Sequence, residues 1–190
     1  MNILLATKNI NKYREISKIF TDTGNFHHTV YKKDLIDVIE DKDTILENAQ
    51  KKAHEIYDYY KVPVVSDDSG LFVNVLNGMP GIRSKRYAGE NAADQENIEK
   101  LLTNLSRKQD RSAYFKTVLY FYDGKNEIST EGILEGLITK DQRGVNGFGY
   151  DSIFEYGSKT LAELTSEEKN KISHRMIATN KMIGILNEKI

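Results

Sequence analysis

The sequence predicts a mixed α/β protein built on one elongated sheet, with no visible linker between parts. Three observations predict it. A short apolar run at residues 3–6 is followed by helical periodicity, a second helix leads into another apolar run at 62–65, and a β-rich stretch at 112–140 precedes a helical C-terminus. Helices that alternate with apolar strands and then give way to antiparallel strands bury their apolar faces against a sheet.

The first run, Ile3 to Ala6, breaks at Thr7-Lys8-Asn9, after which Ile10, Tyr13, Ile16, Ile19 and Phe20 recur at helical spacing. Thr44 and Glu47 form a capping box ahead of Ile45, Ala49, Ala53, Ile56 and Tyr60 on one helical face, and the helix should end near Lys61, before Pro63. Val62 to Val65 make a buried strand that runs into Ser66-Asp67-Asp68-Ser69-Gly70, so polar residues crowd a strand end, with Leu71 to Leu76 extended beyond. Residues 77–81 have turn chemistry, and Ala92 to Leu105 reads as a third helix. Between 112 and 140, two stretches rich in Tyr, Val, Ile and Phe flank an Asp123-Gly124 hairpin signal. A glycine-rich loop, residues 144–151, follows. A second capping box, Thr165 with Glu168, then opens a helical end whose stripe is Ile172, Met176, Ile183 and Leu186.

Composition narrows the function. With 190 residues and 39% hydrophobic content the chain can bury a core as a single domain, 1–190, and no repeat or biased tract interrupts it. Balanced charge, 27 Lys plus Arg against 28 Asp plus Glu, removes the counterion-release argument for a nucleic-acid partner. The absence of cysteine excludes disulfides and zinc-thiolate clusters and suits a reducing compartment. The opening residues lack the apolar core of a signal peptide, and no run approaches the roughly 20 apolar residues that span a bilayer. The expectation is a soluble, cytoplasmic protein with no membrane partner.

Four segments could carry chemistry. Thr7, Lys8, Asn9, Ile10, Asn11 and Lys12 stand where a strand meets a helix N-terminus, a junction whose free N–H groups and dipole suit phosphate. Taken alone, the plainer assignment is that Asn9 or Asn11 caps the helix and the lysines are solvated. Asp67 and Asp68, with Asp37 and Glu40 upstream, are hard-oxygen donors of the kind that hold Mg²⁺ beside phosphates. Neighbours on a strand face opposite ways, so one of Asp67 and Asp68 should do most of the work, and an Asp acting as a base near neutrality needs burial or a nearby carboxylate to raise its pKa. The loop Gly144 to Asp151 lets backbone approach a ligand while Phe148 and Tyr150 offer flat surfaces to a base. Lys169 to Arg175 is a basic stretch that ends in His174 and Arg175, both able to bond purine oxygens or phosphate. His27, His28 and His54 have no ligand-spaced partner and receive no role.

Taken together, LATKNINKYREI at 5–16, LENA at 46–49, SDDSGL at 66–71, NGMPGIRSKRYAGE at 77–90, GFGYD at 147–151 and AELTSEEKNKISHR at 162–175 resemble the inosine/xanthosine triphosphate pyrophosphatase family. The resemblance spans almost the whole chain. Ser152, Arg83 and Lys85 depart from its usual wording. It implies a two-lobed α/β fold around a long central mixed sheet with an active-site cleft between the lobes, a homodimer, and a Mg²⁺ requirement. The implied reaction is hydrolysis of ITP, dITP or XTP to the monophosphate and pyrophosphate. By the resemblance, Thr7 to Lys12 hold the triphosphate, Asp68 is general base and metal ligand, Ser69 touches substrate, and Glu40 is the other metal carboxylate, with Asp37 its rival. Phe148, Gly149, Tyr150, Asp151, Lys169, His174 and Arg175 hold base and phosphates. On that basis Lys12 and Lys169 are expected to offset phosphate charge, and His174, Arg175 or a nearby backbone N–H to donate to the purine 6-keto oxygen. Two alternatives stand beside this reading, a pyrophosphatase for other modified nucleotides and a catalytically silent nucleotide-binding module.

Overall fold

The structure, a computed structural model, describes residues 1–23 and 27–189. The described residues form eight strands and five α-helices: β1 (Asn2–Ala6), α1 (Ile10–Asp22), β2 (His28–Val30), α2 (Ile45–Tyr60), β3 (Val64–Val73), β4 (Pro80–Gly81), α3 (Asp94–Asn104), β5 (Ser112–Tyr122), β6 (Glu127–Ile138), β7 (Phe154–Tyr156), β8 (Lys159–Thr160), α4 (Ser166–Lys169) and α5 (His174–Lys189). The strands make one sheet in the order β2-β1-β3-β5-β6-β7-β8, with β4 beside β3. β1 is parallel to β2 and β3, whereas β4, β7 and β8 pair antiparallel with their neighbours. The long mixed sheet expected from the sequence is present.

The helices start and stop for local reasons. The Asn9 side chain accepts the Asn11 and Lys12 N–H groups and so begins α1. Thr44 accepts the Glu47 N–H at 3.1 Å, and α2 ends at Lys61, whose φ of 52° is left-handed. The Thr165–Glu168 box closes in both directions and opens α4. Asp123 accepts the Lys125 and Asn126 N–H groups in the β5–β6 turn, where Gly124 has φ 92°.

One expectation needs correction. Ser66 to Gly70 lie in the middle of β3, not at a strand end. A polar run can stay in a buried strand when its groups find partners: the Ser66 hydroxyl donates to the Ala49 carbonyl at 2.5 Å, and Asp67 Oδ2 lies 2.8 Å from the Lys12 ammonium. The helical end expected from the sequence is made of two helices. α4 ends at Lys169 and α5 begins at His174, with the Ser173 hydroxyl accepting the Met176 N–H, so Ile172 stands outside α5.

The chain divides into two compact units, the first made of Met1–Asp68, Thr117–Gly132 and Ser173–Ile190, the second of Ser69–Lys116 and Ile133–Ile172. The core of the first gathers Ile3, Leu5, Ile16, Phe20, Phe121 and Met182 with their neighbours. There α5 comes close to β6 because position 132 is glycine: a Cβ would stand 2.0 Å from the His174 carbonyl oxygen. The core of the second gathers Leu71, Ile98, Leu101, Phe115, Tyr150 and Phe154, with Ile172 packed against it.

Candidate active site

The first unit holds a compact knot of charge. It is built on β3, which carries Asp67 and Asp68, on the first turn of α1, which carries Lys12, on α2, which carries Lys52, and on the start of α5, which carries Arg175. Lys12 Nζ lies 2.8 Å from Asp67 Oδ2, and Arg175 Nε lies 3.8 Å from the same oxygen. Arg175 also donates to Glu15 Oε2 at 2.5 Å. The Lys52 ammonium donates to the Asp67 backbone carbonyl at 2.8 Å and pairs closely with Glu40.

This arrangement drives the two adjacent aspartates apart. Burial alone would raise Asp67, but the charges of Lys12, Arg175 and Lys52 more than offset it and hold the carboxyl at about 2. Asp68 goes the other way, to about 6, mainly through burial; Lys52 and Lys12 oppose the rise, while the Glu40 and Asp67 charges add to it. Burial would also raise Glu40, yet its pairing with Lys52 lowers it overall. Lys52 in turn is raised against its own burial by Glu40, Asp67 and Asp68. Neighbouring acids with split titrations are a recurring sign of divided labour, one ionised anchor and one proton acceptor. The expectation is that burial or a nearby carboxylate raises one of these acids, and at Asp68 both do.

Of the two upstream acids left open by the sequence, Glu40 is the one whose charge acts on Asp68. Asp37 is 90% exposed and pairs with Lys8 at 2.6 Å. No three acidic or histidine side chains converge as a ready-made metal cage among the described residues. Mg²⁺ does not need one, since it commonly binds through one or two carboxylates and completes its shell with water and substrate phosphates. Glu40 and Asp68 are carboxylates of that kind, and the charge of Glu40 adds to the rise of Asp68 that burial begins.

The strand-to-helix junction is more committed than an open phosphate nest. Asn9 Oδ1 accepts Asn11 N–H at 2.9 Å and Lys12 N–H at 3.2 Å, while Thr7 Oγ1, itself nearly buried, accepts Asn9 N–H at 3.1 Å. Two helix-start donors are therefore taken by the cap, and Lys8 and Lys12 project the charge of this segment. Ile10 is partly exposed. His174 and Arg175 are both buried at the start of α5.

The second unit holds the remaining candidates. Lys169 and Asp151 form a buried ion pair at 2.6 Å, and the Lys169 ammonium sits over the Phe148 ring, 4.8 Å from its centroid. Asp151 Oδ2 also accepts the Phe148 N–H at 2.9 Å. Gly149 adopts φ 59°, which suits glycine, and donates its N–H to Asp94 Oδ2 at 2.7 Å. Tyr150 departs from the expectation of a flat ligand surface. It is 4% exposed within the core and its hydroxyl donates to the Ser84 carbonyl at 2.8 Å, leaving Phe148 as the half-exposed ring of this loop. Ser69, also counted in this unit, is half-buried on β3.

Sequence reasoning did not single out Lys52, Glu15 or Asp94. Lys52 had a signal: a lysine flanked by Ala49, Ala53 and Ile56 on the buried side of a helix needs an acidic partner. Glu15 had none, because its partner is 160 positions away.

The model of the Ham1 family matches residues 3–185. A protein of Caldanaerobacter subterraneus subsp. tengcongensis named dITP/XTP pyrophosphatase is 46% identical, covering 96% of this chain and 94% of its own length. One of the same name from Aquifex aeolicus is 41% identical, covering 98% and 96%. Among solved structures, the Staphylococcus aureus Ham1 protein matches with TM-score 0.88 and 38% identity over 100% of both chains. A HAM1 protein from Coxiella burnetii matches with TM-score 0.90 and 36% identity over 99% of each.

Proposed function

This chain belongs to the Ham1 family, and from that membership we propose that it hydrolyses the non-standard purine nucleotides ITP, dITP and XTP to nucleoside monophosphate and pyrophosphate, clearing them from the nucleotide pool. The whole chain acts on this reading as one catalytic domain. The observation that carries the chemistry is the split between Asp67, held at about 2, and Asp68, pushed to about 6.

Asp68 holds the attacking water and takes its proton, since a carboxyl near 6 is mostly ionised at neutral pH yet more basic than an ordinary aspartate. The products fix the bond that breaks as the α–β anhydride. The water oxygen bonds to the α-phosphorus, pyrophosphate departs with the electron pair of the broken bond, and the proton on Asp68 returns to solvent. Glu40 and Asp68 are the residues that would hold Mg²⁺, which when bound supplies further neutralisation of phosphate charge. Lys12, Lys8 and Lys52 stabilise the charge that builds on the phosphates, and positioning with charge stabilisation provides most of the rate. Ser69 contacts the same substrate.

The loop Phe148 to Asp151, with Lys169, holds the purine through the Phe148 ring while Tyr150 anchors the loop in the core, and His174, Arg175 or a nearby backbone N–H donates to its 6-keto oxygen. ATP carries an amino group there and would leave a donor unpaired, a loss of about 1–3 kcal/mol per contact. The family resemblance also supports a homodimer and a cytoplasmic location. No helix among the described residues is long and apolar enough to cross a membrane.

The test is direct. Purified protein with Mg²⁺ is given ITP, dITP, XTP, GTP and ATP, and products are identified by phosphorus NMR. Monophosphate plus pyrophosphate, with the non-standard purines preferred, is the expected result. Orthophosphate release, or equal turnover of ATP, would refute the reading.

A further inference from the structure

Phe148 stands between two glycines with left-handed backbone, Gly147 at φ 79° and Gly149 at φ 59°. Glycine reaches these angles without strain but has many others open to it, so something outside the glycines must hold the ring in one place. Both peptide groups that flank Phe148 are held, each by a carboxylate. The Phe148 N–H donates to Asp151 Oδ2 at 2.9 Å, and the Gly149 N–H donates to Asp94 Oδ2 at 2.7 Å. Asp151 is buried against Lys169. Asp94 is exposed, yet it opens α3, whose Ile98 and Leu101 share a core with Tyr150. The loop tip is thus tied to a rigid helix start by a short charge-assisted bond.

From this geometry we propose that Asp94 is a positioning residue for purine recognition, acting through the Gly149 peptide to fix the Phe148 ring. The inference rests on the reading of residues 148–151 as the base-holding loop. Without the Asp94 carboxylate, the Phe148–Gly149 peptide plane turns about the ψ of Phe148 and the φ of Gly149. The ring then loses its fixed position while Lys12, Lys52 and Asp68 keep theirs.

Asp94→Ala and Asp94→Asn are compared with the unmodified protein by calorimetric binding of inosine monophosphate and, separately, of inorganic pyrophosphate, and by steady-state hydrolysis of ITP. Loss of one charge-assisted bond should weaken inosine monophosphate binding and raise the KM for ITP by about tenfold in Asp94→Ala. Pyrophosphate binding and melting temperature should stay at the parent values and kcat should change little. Asp94→Asn, which keeps an oxygen acceptor, should fall between. A merely structural role would lower the melting temperature and weaken both probes together, and that result overturns the proposal. So does inosine monophosphate affinity in Asp94→Ala equal to the parent's. If the alanine variant melts early, the asparagine variant carries the same comparison, because it keeps the size of the side chain and one oxygen acceptor. An unmodified protein that neither binds inosine monophosphate nor hydrolyses ITP overturns the nucleotide reading and the proposal with it, and is recognised before any variant is made.

Discussion

Replacing Asp68 with asparagine should make the protein more stable while removing its activity. Asp68 is 7% exposed and titrates at about 6 in the folded chain against 3.8 ordinarily. The folded chain therefore holds the Asp68 proton more tightly than the unfolded chain does. The stability contributed by the protonated group is full below about pH 4 and is lost as pH rises through 6. At pH 7 the ionised carboxylate then costs about 3 kcal/mol relative to a neutral group of the same shape, at about 1.4 kcal/mol per tenfold change in proton affinity. Asparagine keeps the shape and discards the charge but still buries a polar amide, so a gain of about 1–3 kcal/mol is expected at pH 7. Urea denaturation of both proteins at pH 7 and pH 4 without divalent cation measures it. The variant should lead at pH 7, the lead should shrink towards pH 4, and ITP turnover should fall by about a hundredfold or more, the loss typical of a missing general base. A variant less stable than the parent at pH 7, or equally ahead at both pH values, would falsify the account of Asp68 as a buried, destabilising carboxylate.

Other perturbations test other parts of the molecule. Lys52→Met removes the ammonium that pairs closely with Glu40 and donates to the Asp67 carbonyl; turnover of ITP should drop sharply and stability should fall by about 3 kcal/mol, read by urea denaturation. Arg175→Ala should lower ITP turnover more than ATP turnover if the guanidinium reads the 6-keto oxygen, whereas equal losses would assign it to phosphate alone. Gly132→Ala would push a methyl to 2.0 Å from the His174 carbonyl oxygen, and the shift of α5 that relieves it should cost about 1–3 kcal/mol, visible as a lower melting temperature.

Local signals in the sequence were sufficient for most of the fold. The run Ile3 to Ala6, the Asn9 cap, the Thr44 and Thr165 caps and the Asp123-Gly124 turn each act within a few residues, and each appears where its chemistry predicts. The failures came where a distant partner overrode the local signal. Ser66 to Gly70 looked like a strand end because five small or polar residues seldom sit inside a strand, but the Ala49 carbonyl, which receives the Ser66 hydroxyl, is 17 positions away. Tyr150 looked like a ligand surface because it follows Phe148 in a glycine loop, yet its hydroxyl finds the Ser84 carbonyl 66 positions away and its ring joins the core.

The same reasoning explains what was hidden in the charged knot. Residue types were legible, but pairings were not, because they join different elements: Lys12 to Asp67, Lys52 to Glu40, Lys8 to Asp37 and Arg175 to Glu15. Each cation of the first unit proposed to meet phosphate is thus already matched to a carboxylate. An arriving anion must share or displace those partners, and the gain from one lysine is small when its existing ion pair is lost in exchange. Several cations engaged at once change the balance, since a triphosphate brings enough charge to compete for Lys8, Lys12 and Lys52 together while a single phosphate competes for one. If these lysines meet the phosphates as proposed, the pairing itself favours a polyphosphate over a monophosphate, and it gives the monophosphate product a reason to leave.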